Sequence, residues 1–373
     1  MRRNTDNMML APSNKQRKLL AFQAFIATAI AVNPGWKFHP QTSGFTSSGL
    51  ANYPTPYNLS TSQTNHDPAS TGSSFWSSSF IHGSNGRDYL VVANAVPALA
   101  VGGGALINIY RASILDLEDT SQYSQYARLT AVAQAYGPTG ILNFTVPGFA
   151  FQSTSSTDPL SGMRISSATA DVDFDLTFDM SSPPILNAGT GTFHVGGGTG
   201  FQWSMPAGKT TGWISVNGTK VYVDPSRSLT WYDRQWGVIP ESFSWFQVHI
   251  PGHASDGSED ELYSIWTWTE PINGSKKFAT RRTGEQAEQS VVPVTEKISS
   301  NRTFTSPATK NTYPLDWIIN IAGGPELRLS SIRPDQEIQS AGVPLVSYTG
   351  FLKVVATYPG GRTVPAFGVI ESL

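Results

Sequence analysis

The sequence predicts an all-β protein built as barrels or sandwiches. Three observations carry this. Apolar residues recur with a period of two along most of the chain, Gly and Pro interrupt these runs at short intervals, and helical periodicity is scarce. The clearest strand runs from Ala170 to Met180, where Val172, Phe174, Leu176, Phe178 and Met180 alternate with Asp171, Asp173, Asp175, Thr177 and Asp179. That pattern gives one buried face and one acidic, wet face. Trp213–Val216 and Lys220–Val223 flank Asn217-Gly218, a dipeptide that supplies the positive φ of a type I′ hairpin turn. Phe243, Trp245, Gln247 and His249 share one face of a further strand, and Leu262, Ser264, Trp266, Trp268 and Glu270 one face of the next. Val343–Val355 and Arg362–Ile370 read as closing strands around Pro359-Gly360-Gly361. A short helix is predicted near Ser113–Ala135.

Upstream, Lys15, Arg17 and Lys18 precede an apolar run, Leu19–Val32, that is too short to span a bilayer as a helix. Small-x-small triplets follow (Ala27-Thr28-Ala29 and Ala29-Ile30-Ala31), so residues 1–35 read as a secretory signal. Residues 36–73, rich in Ser, Thr, Asn, Pro and Gly from 40 onward, read as an extended arm. Asn58, Asn143, Asn217, Asn273 and Asn301 each begin a glycosylation sequon. Together these point to the secretory pathway or the exterior; without the leader the chain would be cytoplasmic.

Composition narrows the function. Of 373 residues only 14% are charged, with a net charge of -2, so no basic face is available for nucleic acid. Cys is absent, which excludes disulfides, thiol catalysis and thiolate metal sites. Gly208-Lys209-Thr210 lacks the upstream glycine of a phosphate loop (Trp203 stands there) and leads into a strand, not a helix. Asp171, Asp173 and Asp175 lack the turn glycine and terminal Glu of a calcium loop. His249 and His253 are separated by Pro251-Gly252, which forbids a shared helical face for zinc. Gly102–Gly104 and Gly196–Gly198 read as loops or bulges. No metal and no cofactor is expected.

Seven of the ten tryptophans lie between Trp203 and Trp268, around Trp231-Tyr232-Asp233-Arg234-Gln235-Trp236-Gly237. Asp233 and Arg234, adjacent among aromatics, are predicted to be buried and to need each other or a polar ligand. The Arg234 fork is suited to a carbonyl or enolate oxygen.

The motif, with Gly189-Thr190-Gly191-Thr192-Phe193, Trp203–Pro206, Phe75-Trp76-x-Ser78, Gly86-x-Asp88-Tyr89, Tyr348-x-Gly350 and Gly368–Glu371, resembles the carotenoid-hydratase or hydroxyneurosporene-synthase-like superfamily. The resemblance covers roughly residues 70–373. It implies two lipocalin-like antiparallel β-barrel domains, 74–237 and 238–373. Within that superfamily the chain looks most like the fungal lipocalin-like pericyclases, the Diels–Alderases of secondary metabolism. The bacterial carotenoid hydratases carry His where Arg234 stands, a departure that weighs against hydration of an isolated alkene. A leader points toward the relatives that join tropolone and sesquiterpene partners.

The resemblance thus implies a cofactor-free (hetero-)Diels–Alder cycloaddition on an apolar polyene, terpenoid or polyketide substrate. Arg234, His249 and Asp233 are the candidate catalytic residues, with Gln247 and Lys209 as further donors. The pocket walls would come from Trp76, Trp203, Trp231, Tyr232 and Trp236 on one side. Trp245, Gln247, Trp266 and Trp268 would supply the other. A terpenoid or pigment carrier would use the same pocket. A hydratase would need an inward carboxylate, with Asp233 or Glu270 as candidates.

Overall fold

The computed structural model describes residues 36–38, 40, 55–64, 72–131 except 101–105, 141–252, 257–284, 288–298 and 301–373. All belong to one compact unit, Trp36–Leu373. The leader (1–35), most of the arm, Gly102–Gly104 and His253 lie outside the described residues.

The first sheet is antiparallel and runs through ten strands in the order β4-β3-β2-β1-β13-β11-β8-β7-β6-β5. Its first strands are β1 (Gly72–His82), β2 (Asp88–Ala100), β3 (Leu106–Asp116) and β4 (Tyr123–Ala131). Next come β5 (Asn143–Val146), β6 (Phe149–Ser153), β7 (Gly162–Ala168) and β8 (Asp173–Asp179). Short β9 (Ile185–Leu186), β10 (Thr192–Val195) and β12 (Thr219–Tyr222) pair with the long β11 (Gly198–Val216), and β13 (Leu229–Gly237) completes the sheet. β11 can serve both β13 and β8 because a bulge between Met205 and Gly208 bends it; a Cβ at 208 would sit 2.2 Å from the Asp179 carbonyl. The sheet curls until its ends meet: Tyr110 on β3 stacks on Phe149 of β6 at 4.9 Å, and the Ser167 hydroxyl donates to Tyr126 across 3.0 Å.

The second sheet is a closed barrel of eight strands. It comprises β14 (Phe243–Ile250), β15 (Glu261–Glu270), β16 (Gly274–Thr283), β17 (Glu288–Ile298), β20 (Asp316–Ile321), β21 (Glu326–Ser331), β23 (Ser347–Thr357) and β24 (Thr363–Ser372). Closure follows because β21 pairs with both β20 and β23. β18 (Thr303–Thr305) and β19 (Thr312–Pro314) form a separate ribbon, and β22 (Glu337–Ile338) adds to β23. Close approach requires glycine where β24 crosses β14, since a Cβ at Gly368 would meet the Gln247 carbonyl at 2.2 Å.

Several sequence expectations hold. β8 shows strict alternation of buried and half-buried residues. Asn217 and Gly218 adopt φ of 51° and 76° between β11 and β12. The last two strands pair around residues 358–362. The predicted helix at 113–135 does not form. Its described part, to residue 131, is the β3–β4 hairpin. Both faces of β3 are buried (Tyr110, Ala112 and Ile114 within the barrel; Ile109, Arg111 and Leu115 outside it), so no polar alternation marks it as a strand. Within the arm, residues 59–62 form one helical turn, α1 (Leu59–Ser62), capped by the Asn58 side chain on the Thr61 amide.

Three apolar cores result. One fills the first barrel and one the second. The third lies between them, where outward residues of β1, β2, β3 and β13 meet outward residues of β14, β15, β23 and β24.

Candidate active site in the seam between the barrels

Strand alternation decides which motif residue faces which compartment. On β13 all nine residues are buried. Tyr232 and Trp236 belong to the core of the first barrel, Trp231 to the seam. Asp233 and Arg234, being neighbours on a strand, point opposite ways. The anticipated Asp–Arg partnership therefore gives way to two separate environments.

Arg234 lies inside the first barrel. Its Nε donates to the Ser62 carbonyl at 2.8 Å, and its Nη1 to the Ser73 hydroxyl at 2.9 Å and the Gln235 carbonyl at 2.6 Å. The guanidinium sits over the rings of Phe75 (4.4 Å) and Trp236 (5.0 Å). Trp203 donates to the Ser62 hydroxyl at 2.8 Å, and Tyr232 to Gln63. Trp203, Tyr232, Arg234 and Trp236 together hold the 55–64 segment against the first barrel, with Tyr57 edge-on to Trp236. Gly237 ends the motif at φ 86°, where a Cβ would stand 2.4 Å from the Thr199 carbonyl.

Asp233 faces the seam and is the hub of a buried network. Its carboxylate accepts from the Ser204 hydroxyl, from Gln202 Nε2 at 3.3 Å and from Trp231 Nε1 at 2.8 Å. Gln202 in turn accepts from Trp266 of the second barrel at 2.7 Å. Ser204 accepts from Asn187 at 3.3 Å, Asn187 from Ser264 at 2.6 Å, and Ser264 from Trp245 at 2.8 Å. Burial drives the Asp233 pKa up to about 7, against the pull of its three donors, and the Glu371 charge adds to the rise.

The sign follows. The folded carboxyl keeps its proton to higher pH than the unfolded one, so its contribution to stability is complete below about pH 4 and declines as pH rises toward 7. We expect Asp233→Asn to flatten the stability profile across that window, by up to ~1.4 kcal/mol per pH unit. Denaturant melts at pH 4 to 8 measure it, and parallel profiles for the two proteins would refute the assignment.

Nearby the seam opens into a cavity of about 620 Å³ with mainly apolar walls, among them Val238, Ile239, Phe243 and Trp268. Its polar lining includes Arg111, Gln235 and Glu371. Arg111 from β3 pairs with Glu371 from β24 at 3.0 Å, and its guanidinium also donates to Asn94 (2.6 Å) and Ser347. The Glu371 side chain is 13% exposed. Burial raises its pKa and the Arg111 charge opposes the rise. Gln235 Nε2 has no partner among the described residues. Glu270 at the rim is different in kind. It accepts from the Gly196 amide (2.8 Å), Trp268 (3.0 Å) and Asn273 (2.8 Å), which hold its pKa down to about 2. It stays an anion that anchors the 196–197 turn, not a proton donor.

Further along, the seam closes into a packed aromatic cluster. His249 stacks on Phe367 (4.8 Å, 7°) and meets Trp231 and Phe80 edge-on, each at 5.3 Å. Burial pushes its pKa down to about 3, so the ring is neutral. Trp76 and Trp231 each lie against Trp245, at 6.1 and 6.2 Å. Gln247 accepts from Ser78 at 2.8 Å.

Of the residues singled out from sequence, the seam gathers Asp233, His249, Trp76, Trp231, Trp245, Gln247, Trp266 and Trp268. Trp203, Tyr232, Arg234 and Trp236 lie in the first barrel, and Lys209 is exposed. Asn58, Asn143, Asn217, Asn273 and Asn301 are all exposed. Asp175, from the aspartate triplet, is held by Arg164 at 2.7 and 2.8 Å. Sequence reasoning missed Arg111 and gave no site role to Gln235 and Glu371, which it met only as parts of motifs. Alternation from Phe367 through Val369 would have put Glu371 on the seam face, but its partner lies 260 residues away.

Two antiparallel barrels in tandem, closed over a buried polar seam, define a protein of the double lipocalin-like type. The chain belongs to the AttH-like family, whose sequence profile matches residues 109–362. It is 34% identical to kievitone hydratase of Fusarium solani subsp. phaseoli over 81% of this chain and 83% of that one. It is 30% identical to the dehydratase asqC of Emericella nidulans over 95% and 97%. The crystal structure of kievitone hydratase from Nectria haematococca superposes with a TM-score of 0.76 at 33% identity, covering 91% of this chain and 98% of that one. These relatives are enzymes, and the chain is an enzyme of this lipocalin-like family. Position 234, which the resemblance set against hydration of an isolated alkene, faces the interior of the first barrel and not the seam. Among the described residues no helix is long and apolar enough to cross a membrane.

Proposed function

We propose that the chain is a lyase of fungal secondary metabolism that adds water to, or removes it from, a small and largely apolar molecule held in the seam. The observation that carries this reading is the Glu371 carboxyl. It lines an apolar cavity, its pKa is raised by burial, and Arg111 fixes it in place. A carboxyl whose pKa is raised by burial holds its proton more readily than a free one and is suited to general acid–base work. A substrate whose double bond is conjugated to a carbonyl would rest that oxygen on Gln235 Nε2 and the Arg111 fork. Glu371 would deliver a proton to the carbon beside the carbonyl, and its carboxylate would take back the proton released by the water whose oxygen bonds one carbon further out. Dehydration is the reverse: the Glu371 carboxylate takes that proton and passes a proton to the departing hydroxyl, which leaves as water. The donors on the oxygen stabilise the enolate-like charge between the two steps. The names of the relatives, a hydratase and a dehydratase, support the same class.

A cofactor-free Diels–Alder cycloaddition is the second reading. It is favoured by the mainly apolar walls with few fixed donors, which suit a reaction governed by positioning. Product mass separates the readings. Incubation with conjugated enone polyketides, and with their β-hydroxy ketone counterparts, should give products that differ from substrate by one water. Products of unchanged or summed mass would favour the cycloaddition, and tight binding without conversion would make the protein a carrier.

A further inference from the structure

The closed end of the seam is built like a binding site whose occupant is the chain itself. Trp36 lies against Phe351 at 4.6 Å, and Phe38 against Phe80 at 5.4 Å and Phe367 at 5.0 Å. Both rings are 4% exposed. They are held by ring contacts, because among the described residues no backbone hydrogen bond ties 36–38 to either barrel. Phe80 and Phe367, which Phe38 touches, are the rings that hold His249.

Around this insertion, whose own Trp36 Nε1 is likewise unpartnered, three polar atoms of the walls have no partner among the described residues: Trp76 Nε1, Gln247 Nε2 and His249 Nε2. Their residues are 3%, 0% and 4% exposed, so ordinary solvation does not reach them. A single orphan is a local accident, since nearly all buried polar groups find partners. Trp76 belongs to the seam core, His249 packs on its Phe80, Trp231 and Phe367 rings, and Gln247 is bonded to Ser78, two residues from Trp76 on β1; three orphans set so close mark a place prepared for a polar-tipped ligand. Two of the three are N–H donors by chemistry, and the neutral imidazole can donate or accept.

We infer that this closed end of the seam is a subsite for a flat aromatic group bearing a hydrogen-bond acceptor, such as an aryl ketone, and that Trp36 and Phe38 stand in for it when it is empty. The aryl ring would take the place of the indole or phenyl ring, between Phe80, Phe351 and Phe367. Its oxygen would accept from Gln247 and Trp76. The inference rests on reading the seam as the substrate site, but its test reads binding and needs no turnover.

The probe is 2-acetylnaphthalene, followed by quenching of tryptophan fluorescence in the full chain. Withdrawal of a competing internal occupant should tighten binding in W36A/F38A by about ten-fold over the parent. Adding Gln247→Met or His249→Phe to that background should return affinity to the parent value, because the first removes the amide donor and the second keeps the ring stack but removes the nitrogen. If the double variant does not melt cooperatively, Phe38→Ala alone carries the test with a smaller gain in the same direction. Absence of any gain, or a gain that both added substitutions leave intact, would overturn the inference. Loss of water transfer with the binding gain preserved would count against the proposed reaction and not against the subsite.

Discussion

Arg234→Ala should cost about 4 kcal/mol of stability, the range found when a buried, hydrogen-bonded cation is removed and its partners are stranded. The side chain is fully buried, and it spans the 55–64 segment and the wall of the first barrel. Truncation leaves the Ser62 and Gln235 carbonyls without their donor and opens a space between Phe75 and Trp236. For a domain with a total stability of about 5–15 kcal/mol such a loss is severe. The denaturant midpoint should fall sharply, and activity should fall with the folded fraction. Arg234→Lys should recover only part, since an ammonium cannot reproduce the fork. A variant with an unchanged midpoint and lost turnover would return Arg234 to the chemistry that its sequence context suggested.

Glu371→Gln is the second large effect, and it should be the opposite in kind. Glutamine keeps the shape and can still accept from Arg111, so the fold should survive. It cannot carry the proton, so kcat for water transfer should drop about 10²–10⁴-fold. The decisive comparison is a melt beside a rate. Retained turnover would remove Glu371 from the reaction, and matching losses of both would make its pairing with Arg111 structural. Arg111 is the less clean target, because its removal strands Asn94, Ser347 and Glu371 together.

The all-β class was legible because strands such as β8, β20 and β21 bury one face and leave the other partly wet. The failure at β3 has the same physics: a strand covered on both sides by two barrels loses the polar half of its alternation. The motif around Asp233 pointed to the right strand. Reading Asp233 and Arg234 as a pair ignored the alternation that had been used everywhere else. The tryptophan cluster located the seam through Trp231, Trp245, Trp266 and Trp268. It also drew in Trp203 and Trp236, whose surroundings differ although their sequence neighbourhood does not. Arg111 and Glu371 stayed hidden because each is an isolated charge in an apolar strand. Only the docking of one barrel on the other brings them together.

β13 carries a consequence for altering this protein. Its odd-numbered positions, Trp231, Asp233 and Gln235, address the seam, and its even-numbered ones, Tyr232, Arg234 and Trp236, address the first barrel. A single nine-residue stretch therefore holds two interleaved instructions. Libraries confined to the odd set would vary the seam, while the even set continues to specify the scaffold. A frameshift of one residue along this strand would exchange the two vocabularies, placing an arginine in the seam and an aspartate in a hydrocarbon interior.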